Sequence, residues 1–226
     1  MRSTQGKADP FSALRCIVGM TKLFDIPLNY LMRTFAVALV LLVATASLPA
    51  QQSLRKALAT GTIANSVYRN PGLGFTYKII LGWVDRSDQN RPETDDPSSG
   101  QVLLVVFEHP PEVKGENINS AVVIATEPLS SFPGVKTAAD YFEPLTEATT
   151  SQGFKVVNEP YETRLGSKPL VRSDFSKESG KITTYQSSLV MLSKGYAVSF
   201  TFIGSSEDEV EQLISRLSFT TLQNKP

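Results

Sequence analysis

His109 is the only imidazole in a chain of 226 residues, so any acid–base or metal chemistry that needs a histidine must run through it. It follows Glu108 and precedes Pro110-Pro111 at the end of an apolar run. A Ser-His-Asp relay would also need an exposed serine, and no Gly-x-Ser-x-Gly elbow occurs to present one. A strand-end surface position is therefore expected for His109. Asp85, Asp88, Glu93, Asp95 and Asp96 crowd one stretch and could offer a hard cation several carboxylate oxygens, as calcium requires. Arg86 and Arg91 lie among them, and no glycine takes the sharp-turn place of an EF-hand, so a solvated loop is expected. Gly72-Leu73-Gly74 is a fragment of a dinucleotide fingerprint without its third glycine or its helix, and reads as a hairpin turn. Tyr68, Phe75, Tyr77 and Trp83 could form an aromatic platform for a ligand, although large aromatics more often fill cores. Glu143 and Glu147 stand one helical turn apart and could pair their carboxylates, but a wet outer face is the ordinary outcome. No residue is assigned a catalytic, cofactor-binding or metal-ligating role, and no cofactor is expected.

The elements that would position these residues follow from periodicity. Residues 66–70 read as a short strand, and 75–80 alternate after a Gly-Leu-Gly turn, which makes a first hairpin. From 85 to 100 there is no apolar side chain apart from two prolines, the composition of a loop. Gln101–Phe107 and residues 119–125 are continuous apolar runs, as expected of strands covered on both faces. The pair Pro110-Pro111 and then Lys114-Gly115-Glu116 mark a turn between them. Ala138, Tyr141, Phe142, Leu145 and Ala148 recur at helical spacing, predicting a helix over 137–152 capped by Thr137, with Asp140 as its partner and a kink at Pro144. Gly153 should end it. Four β signals follow, at 154–157, 170–175, 182–192 and 196–203, with turns at Gly166, Ser179-Gly180 and Lys194-Gly195. In the last of them Tyr196, Val198, Phe200 and Phe202 share a face, opposite Ser199 and Thr201. Ser205 or Ser206 then caps a closing helix with Val210, Leu213, Ile214 and Leu217 inward, and 219–222 form a short final strand. Hairpins, rather than βαβ alternation, predict the α+β class: a mostly antiparallel sheet flanked by helices.

Net charge is zero, with 22 Lys+Arg against 22 Asp+Glu, and 41% of residues are hydrophobic, which suits one folded domain. Met32-Arg33-Thr34 precedes an uncharged stretch that ends in small residues at Pro49-Ala50. That pattern predicts a signal peptide over 32–50, cleaved after Ala50 or, as second choice, after Ala46. Residues 35–48 are too few to cross a bilayer, which takes about 20. Residues 1–31, with Asp9 and Asp25, fit a signal badly, so they are either an upstream stretch before a true start at Met32 or an unusually long n-region. Residues 51–65 read as a lead-in segment, and 66–223 as a single domain. Cleavage removes Cys16, the single cysteine, and leaves 17 Lys+Arg against 20 Asp+Glu. A mildly acidic, thiol-free chain offers no disulfide framework, no multi-cysteine zinc site and no basic patch for nucleic acid or an anionic membrane. Gln51 stands where a lipoprotein would carry its cysteine.

The order of elements resembles the PsbP-like family, whose α/β/α sandwich is shared with a Ran-binding nuclear import factor and many exported bacterial proteins. Tyr68, Gly74-Phe75-Thr76-Tyr77 and Gly82-Trp83 carry the resemblance first. Ala139-Asp140-Tyr141-Phe142, Tyr196 and the closing Leu213, Leu217-Ser218-Phe219 extend it over 66–222. Ile80-Leu81 replaces a proline that the family often has, and the long acidic loop is a second departure. The resemblance implies a fold and no shared catalytic constellation, since the family spans photosystem subunits, small exported lipoproteins and partner-binding factors. The expected function is that of an exported bacterial domain, periplasmic or extracellular, that is not an enzyme and binds a protein or cell-envelope partner. A small-molecule or lipid carrier with an apolar cavity is the alternative, and a carboxylate-based hydrolase ranks third.

Overall fold

Two apolar runs, at Gln101–Phe107 and Ala121–Pro128, lie side by side in the middle of a seven-stranded sheet, with almost every residue buried. The structure is a computed structural model and describes residues 61–90, 100–113 and 118–219. The signal peptide expected at 32–50, the stretch 1–31, the first ten residues of the lead-in and Glu93, Asp95 and Asp96 lie outside the described residues. So does the turn expected at Lys114-Gly115-Glu116.

In chain order the first strands are β1 (Thr62–Ala64), β2 (Val67–Asn70), β3 (Phe75–Lys78), β4 (Val84–Asp85), β5 (Gln101–Phe107) and β6 (Ala121–Pro128). Helix α1 (Phe142–Thr150) is followed by β7 (Lys155–Leu165), β8 (Lys168–Ser179), β9 (Ile182–Ser193) and β10 (Tyr196–Gly204). Helix α2 (Glu207–Ile214) and β11 (Leu217–Phe219) close the described chain. The large sheet has the order β4-β5-β6-β10-β9-β8-β7, and a smaller one the order β1-β2-β3-β11. Every recorded pairing is antiparallel, as the hairpin pattern predicts. The class is α+β.

Each face of the large sheet has its own core. On one face Val198, Phe200 and Phe202 of β10 meet Phe75 and Tyr77 of the small sheet and Val210, Leu213 and Ile214 of α2. Phe200 packs edge-on against Phe75 at 5.0 Å and Phe219 at 5.9 Å. On the other face Val105, Val123 and Val190 lie beneath Phe142 and Leu145 of α1, with Phe132, Tyr141 and Phe154 beside them. Burying each such side chain is worth about 1.5–3 kcal/mol, so these central strands hold most of the stability.

Several expectations need correcting. The predicted helix over 137–152 begins only at Phe142. Thr137 and Asp140 do bond reciprocally, but within the turn before the helix: the Asp140 carboxylate accepts from the N–H of Lys136 and Thr137, and Thr137 Oγ1 accepts from Asp140 N–H. Pro144 therefore falls in the first turn, where no intrahelical donor is lost, and the expected kink has no cause. Leu217 belongs to β11, which pairs with β3, and not to the helix stripe. Thr62–Ala64, in the expected lead-in, forms β1 against β2. The expected strand at 154–157 is the start of a much longer β7. The tight turn between β9 and β10 has both Lys194 and Gly195 at positive φ, the backbone that joins two twisted strands directly.

Candidate functional site

The chemistry-bearing residues of the sequence do not converge. His109 is two-thirds exposed, and its Nε2 stands 3.7 Å from Glu108 Oε1. Its main chain is tied to the Asn119 side-chain amide on both the N–H and the C=O. Asp85 opens the expected loop as part of β4, and its carboxylate accepts from the Ser87 N–H and hydroxyl. Among the described residues no group of His, Cys, Asp and Glu could hold a metal ion. Gly74 takes φ +71° in the β2–β3 turn, where its N–H bonds to the Asn70 carbonyl, so the glycine pair is a hairpin device. Tyr68, Phe75 and Tyr77 are core side chains and Trp83 packs beside them, the packing role expected of large aromatics rather than a ligand platform. Burial pushes the Tyr77 phenol well above its ordinary pKa, and its hydroxyl has no partner among the described residues. Glu143 and Glu147 face solvent on α1.

The densest polar constellation lies elsewhere, where β7, β8 and β9 pass beside α2. Arg172 and Asp174 are two apart on β8 and so share its face. The ladder then brings partners across: Asn158 and Ser187 flank Asp174, and Tyr161 flanks Arg172. One extra residue on β7 between Asn158 and Tyr161, and another before Asn158, make bulges that aim those two side chains at β8. The Asp174 carboxylate accepts from Arg172 Nε (2.7 Å), Asn158 Nδ2 (3.0 Å), Tyr161 Oη (3.1 Å) and the Ser187 hydroxyl. Arg172 Nη2 donates to Ser187 Oγ at 3.0 Å and pairs with Glu211 of α2 at 2.5 Å.

Charge is fixed in this network. Burial pushes Asp174 up, but hydrogen bonds from Ser187, Arg172 and Asn158 outweigh it and hold the carboxyl below its ordinary range. For Arg172, burial works against the cation, yet bonds to Glu211 and Asp174 raise its pKa further. Burial is the first cause raising the Tyr161 phenol, with the Asp174 carboxylate adding to it. The Ser187 hydroxyl donates to the Asp174 carboxylate and accepts from Arg172 Nη2, so both its proton and a lone pair are engaged within the network. A recess of about 280 Å³ opens over it, walled by Tyr185 on β9 and by Glu207, Asp208 and Glu211 on α2.

The helix that supplies those acids is well anchored. Ser206 caps α2 by accepting from the Glu209 N–H at 3.1 Å. The Glu209 carboxylate in turn accepts from the Ser205 N–H and hydroxyl and from Ser120 Oγ on the chain leading into β6. Burial raises Glu209, but the Ser120 and Ser205 bonds bring it below its ordinary value. Beside the recess, β7 is the edge of the large sheet, and its Val157 and Tyr161 are 48% and 40% exposed. Sequence reading missed Asn158, Tyr161, Arg172, Asp174, Ser187 and Glu211. The one available signal was the Arg172–Asp174 spacing within the strand expected at 170–175.

Fold and site together define an α+β sandwich with a polar network and a recess on one wing of its large sheet. No protein family and no curated protein matches the chain. Among solved structures it is similar to the cyanobacterial PsbP (CyanoP) of Synechocystis sp. PCC 6803, with a TM-score of 0.42 and 17% identity, covering 71% of this chain and 98% of that one. LpqN of Mycobacterium tuberculosis, involved in cell envelope biogenesis, is similar with a TM-score of 0.36 and 13% identity, over 65% of this chain and 83% of that one. PA94 of Pseudomonas aeruginosa, a protein of unknown function, gives 0.36 and 15%, over 60% and 89%. The PsbP-like resemblance seen in the sequence is met again among these neighbours. Likeness at this level concerns the arrangement of elements, and what the chain does rests on its own residues.

Proposed function

We propose that this chain is an exported, non-catalytic domain that binds a protein partner in the cell envelope through the wing formed by β7, β8 and β9. Export rests on the signal pattern at 32–50. The observation that carries partner binding is the edge strand β7, long, mostly exposed and held in register by a charged network, with Val157 and Tyr161 offered to solvent beside it. A rigid edge with apolar and aromatic side chains over fixed charges is the surface a partner can recognise. Among the described residues no helix is long and apolar enough to cross a membrane. The carrier alternative calls for an apolar cavity between sheet and helices; the clusters of buried side chains on both faces of the large sheet favour the partner-binding reading over it.

Site-specific photo-crosslinking in the native host tests the proposal. A crosslinker at Val157 should give a discrete adduct with one envelope protein, and a crosslinker at Glu147 on α1 should not. Adducts of equal yield at both positions, or none at Val157, would overturn it.

A further inference from the structure

The ladder between β8 and β9 ends early. It runs from Ser179↔Ile182 to Val171↔Val190 and stops there. Strand β9 nevertheless continues along β10 to Ser193↔Tyr196, and β8 continues along β7 to Leu165↔Lys168. Pro169 supplies the reason: it has no N–H with which to carry a ladder forward. Residues 168–170 and 191–193 thus flank a notch at the end of the sheet, with a strand neighbour on one side only.

The notch has a volume of about 560 Å³ and an apolar floor of Val171 and Leu192 on the α1 side of the sheet, with Leu170 and Met191 buried on the opposite side. Its border carries Lys136, Arg164 and Lys168 against Glu162, with the Asp140 carboxylate held on the main chain of Lys136 and Thr137 beside it. Successive residues of a strand turn their amide groups to opposite edges, and Ser193 pairs with Tyr196 of β10, so it is Leu192 that presents its N–H and C=O to the side that β8 has left. An apolar floor, a main-chain edge and a surplus of positive charge occur here together.

We infer that this notch receives an extended, acidic segment of the protein partner. The segment adds to β9 where β8 leaves off, and sets its carboxylates among Lys136, Arg164 and Lys168. The main-chain edge selects a peptide over an acyl chain, since only a peptide can pair with it. This inference deepens the partner-binding reading and rests on it. The notch shares no lining residue with the acidic recess beside α2, and the anionic ligand belongs to the notch.

The test uses the full nitrogen-15-labelled chain and a short synthetic peptide alternating glutamate and valine. A lysine–valine counterpart and laurate serve as the comparison arms. The glutamate peptide should shift the amides of 168, 170, 171 and 191–193, and added salt should weaken its binding. Replacing Arg164→Glu and Lys168→Glu together should reduce its affinity about tenfold with the melting temperature unchanged. Equal binding of both peptides, shifts centred elsewhere, or laurate perturbing these amides while the glutamate peptide leaves them unmoved would overturn the inference. If the peptide fails while the Val157 crosslink forms, the notch falls and the partner-binding reading stands. If the crosslink is absent too, both fall.

Discussion

The centre of the large sheet and its wing are built from the same hairpins but carry opposite kinds of side chain. Strands β5, β6 and β10 are buried nearly end to end, with apolar contacts on both faces. Strand β7 is exposed along most of its length and takes its partners from hydrogen bonds and ion pairs. The centre therefore resists change through packing, which is costly to disturb. The wing is held by directed polar bonds, which contribute less to stability but keep its edge groups and charges in fixed positions.

Mutations should separate the two regions. The largest effect belongs to the centre: Phe200→Ala removes the ring shared by Phe75 and Phe219 and should cost about 3–5 kcal/mol of unfolding free energy, measured by urea denaturation. A loss below about 1 kcal/mol would break the contrast. Arg172→Leu comes next, because it leaves the Asp174 carboxylate partly buried without its cation, at a cost of about 1–3 kcal/mol. The double change Arg172→Leu with Asp174→Leu should recover part of that loss, and no recovery would mean that the pair is not coupled.

Acid titration sharpens the same point. The folded pKa of Asp174 lies below its ordinary value near 3.8, so its contribution is complete above that value. It is then lost as pH falls through the lowered folded value. Asp174→Asn should flatten the fall in stability below about pH 4, and a curve parallel to that of the parent chain would contradict the assignment. A smaller effect of opposite sign is expected where the small sheet packs against the centre. Tyr77→Phe deletes a buried hydroxyl that has no partner among the described residues, and should raise stability by about 1 kcal/mol in thermal unfolding. Smallest of all in stability are Val157→Asp and Tyr161→Glu on the wing. The valine change should stay within about 0.5 kcal/mol, and the tyrosine change should cost slightly more because it removes one bond to Asp174.

The two regions also differed in how legible they were. The runs at Gln101–Phe107 and in β10 could be read because a continuous or alternating apolar pattern has few other solutions. Strand β7 beyond Val157 could not, since Asn158, Glu159, Pro160 and Glu162 show no apolar alternation, and a paired edge needs none. The start of α1 was placed too early because Ala138 and Tyr141 continue the helical spacing into a preceding turn. The position of Pro144 would have set the boundary better. At the site, Arg172 and Asp174 could be placed on one face from their spacing alone. Their bonds to Ser187 and Glu211 depend on strand register and on where α2 crosses, which are tertiary facts.

The central claim is that the wing, and not the α1 face, meets the partner. It is tested most directly by comparing how much envelope protein is retained by the parent chain, by Val157→Asp with Tyr161→Glu, and by Glu143→Lys with Glu147→Lys, all at matched melting temperature. The wing variant should lose the retained protein and the α1 variant should keep it; retention by the wing variant, or equal loss in both, would contradict the account.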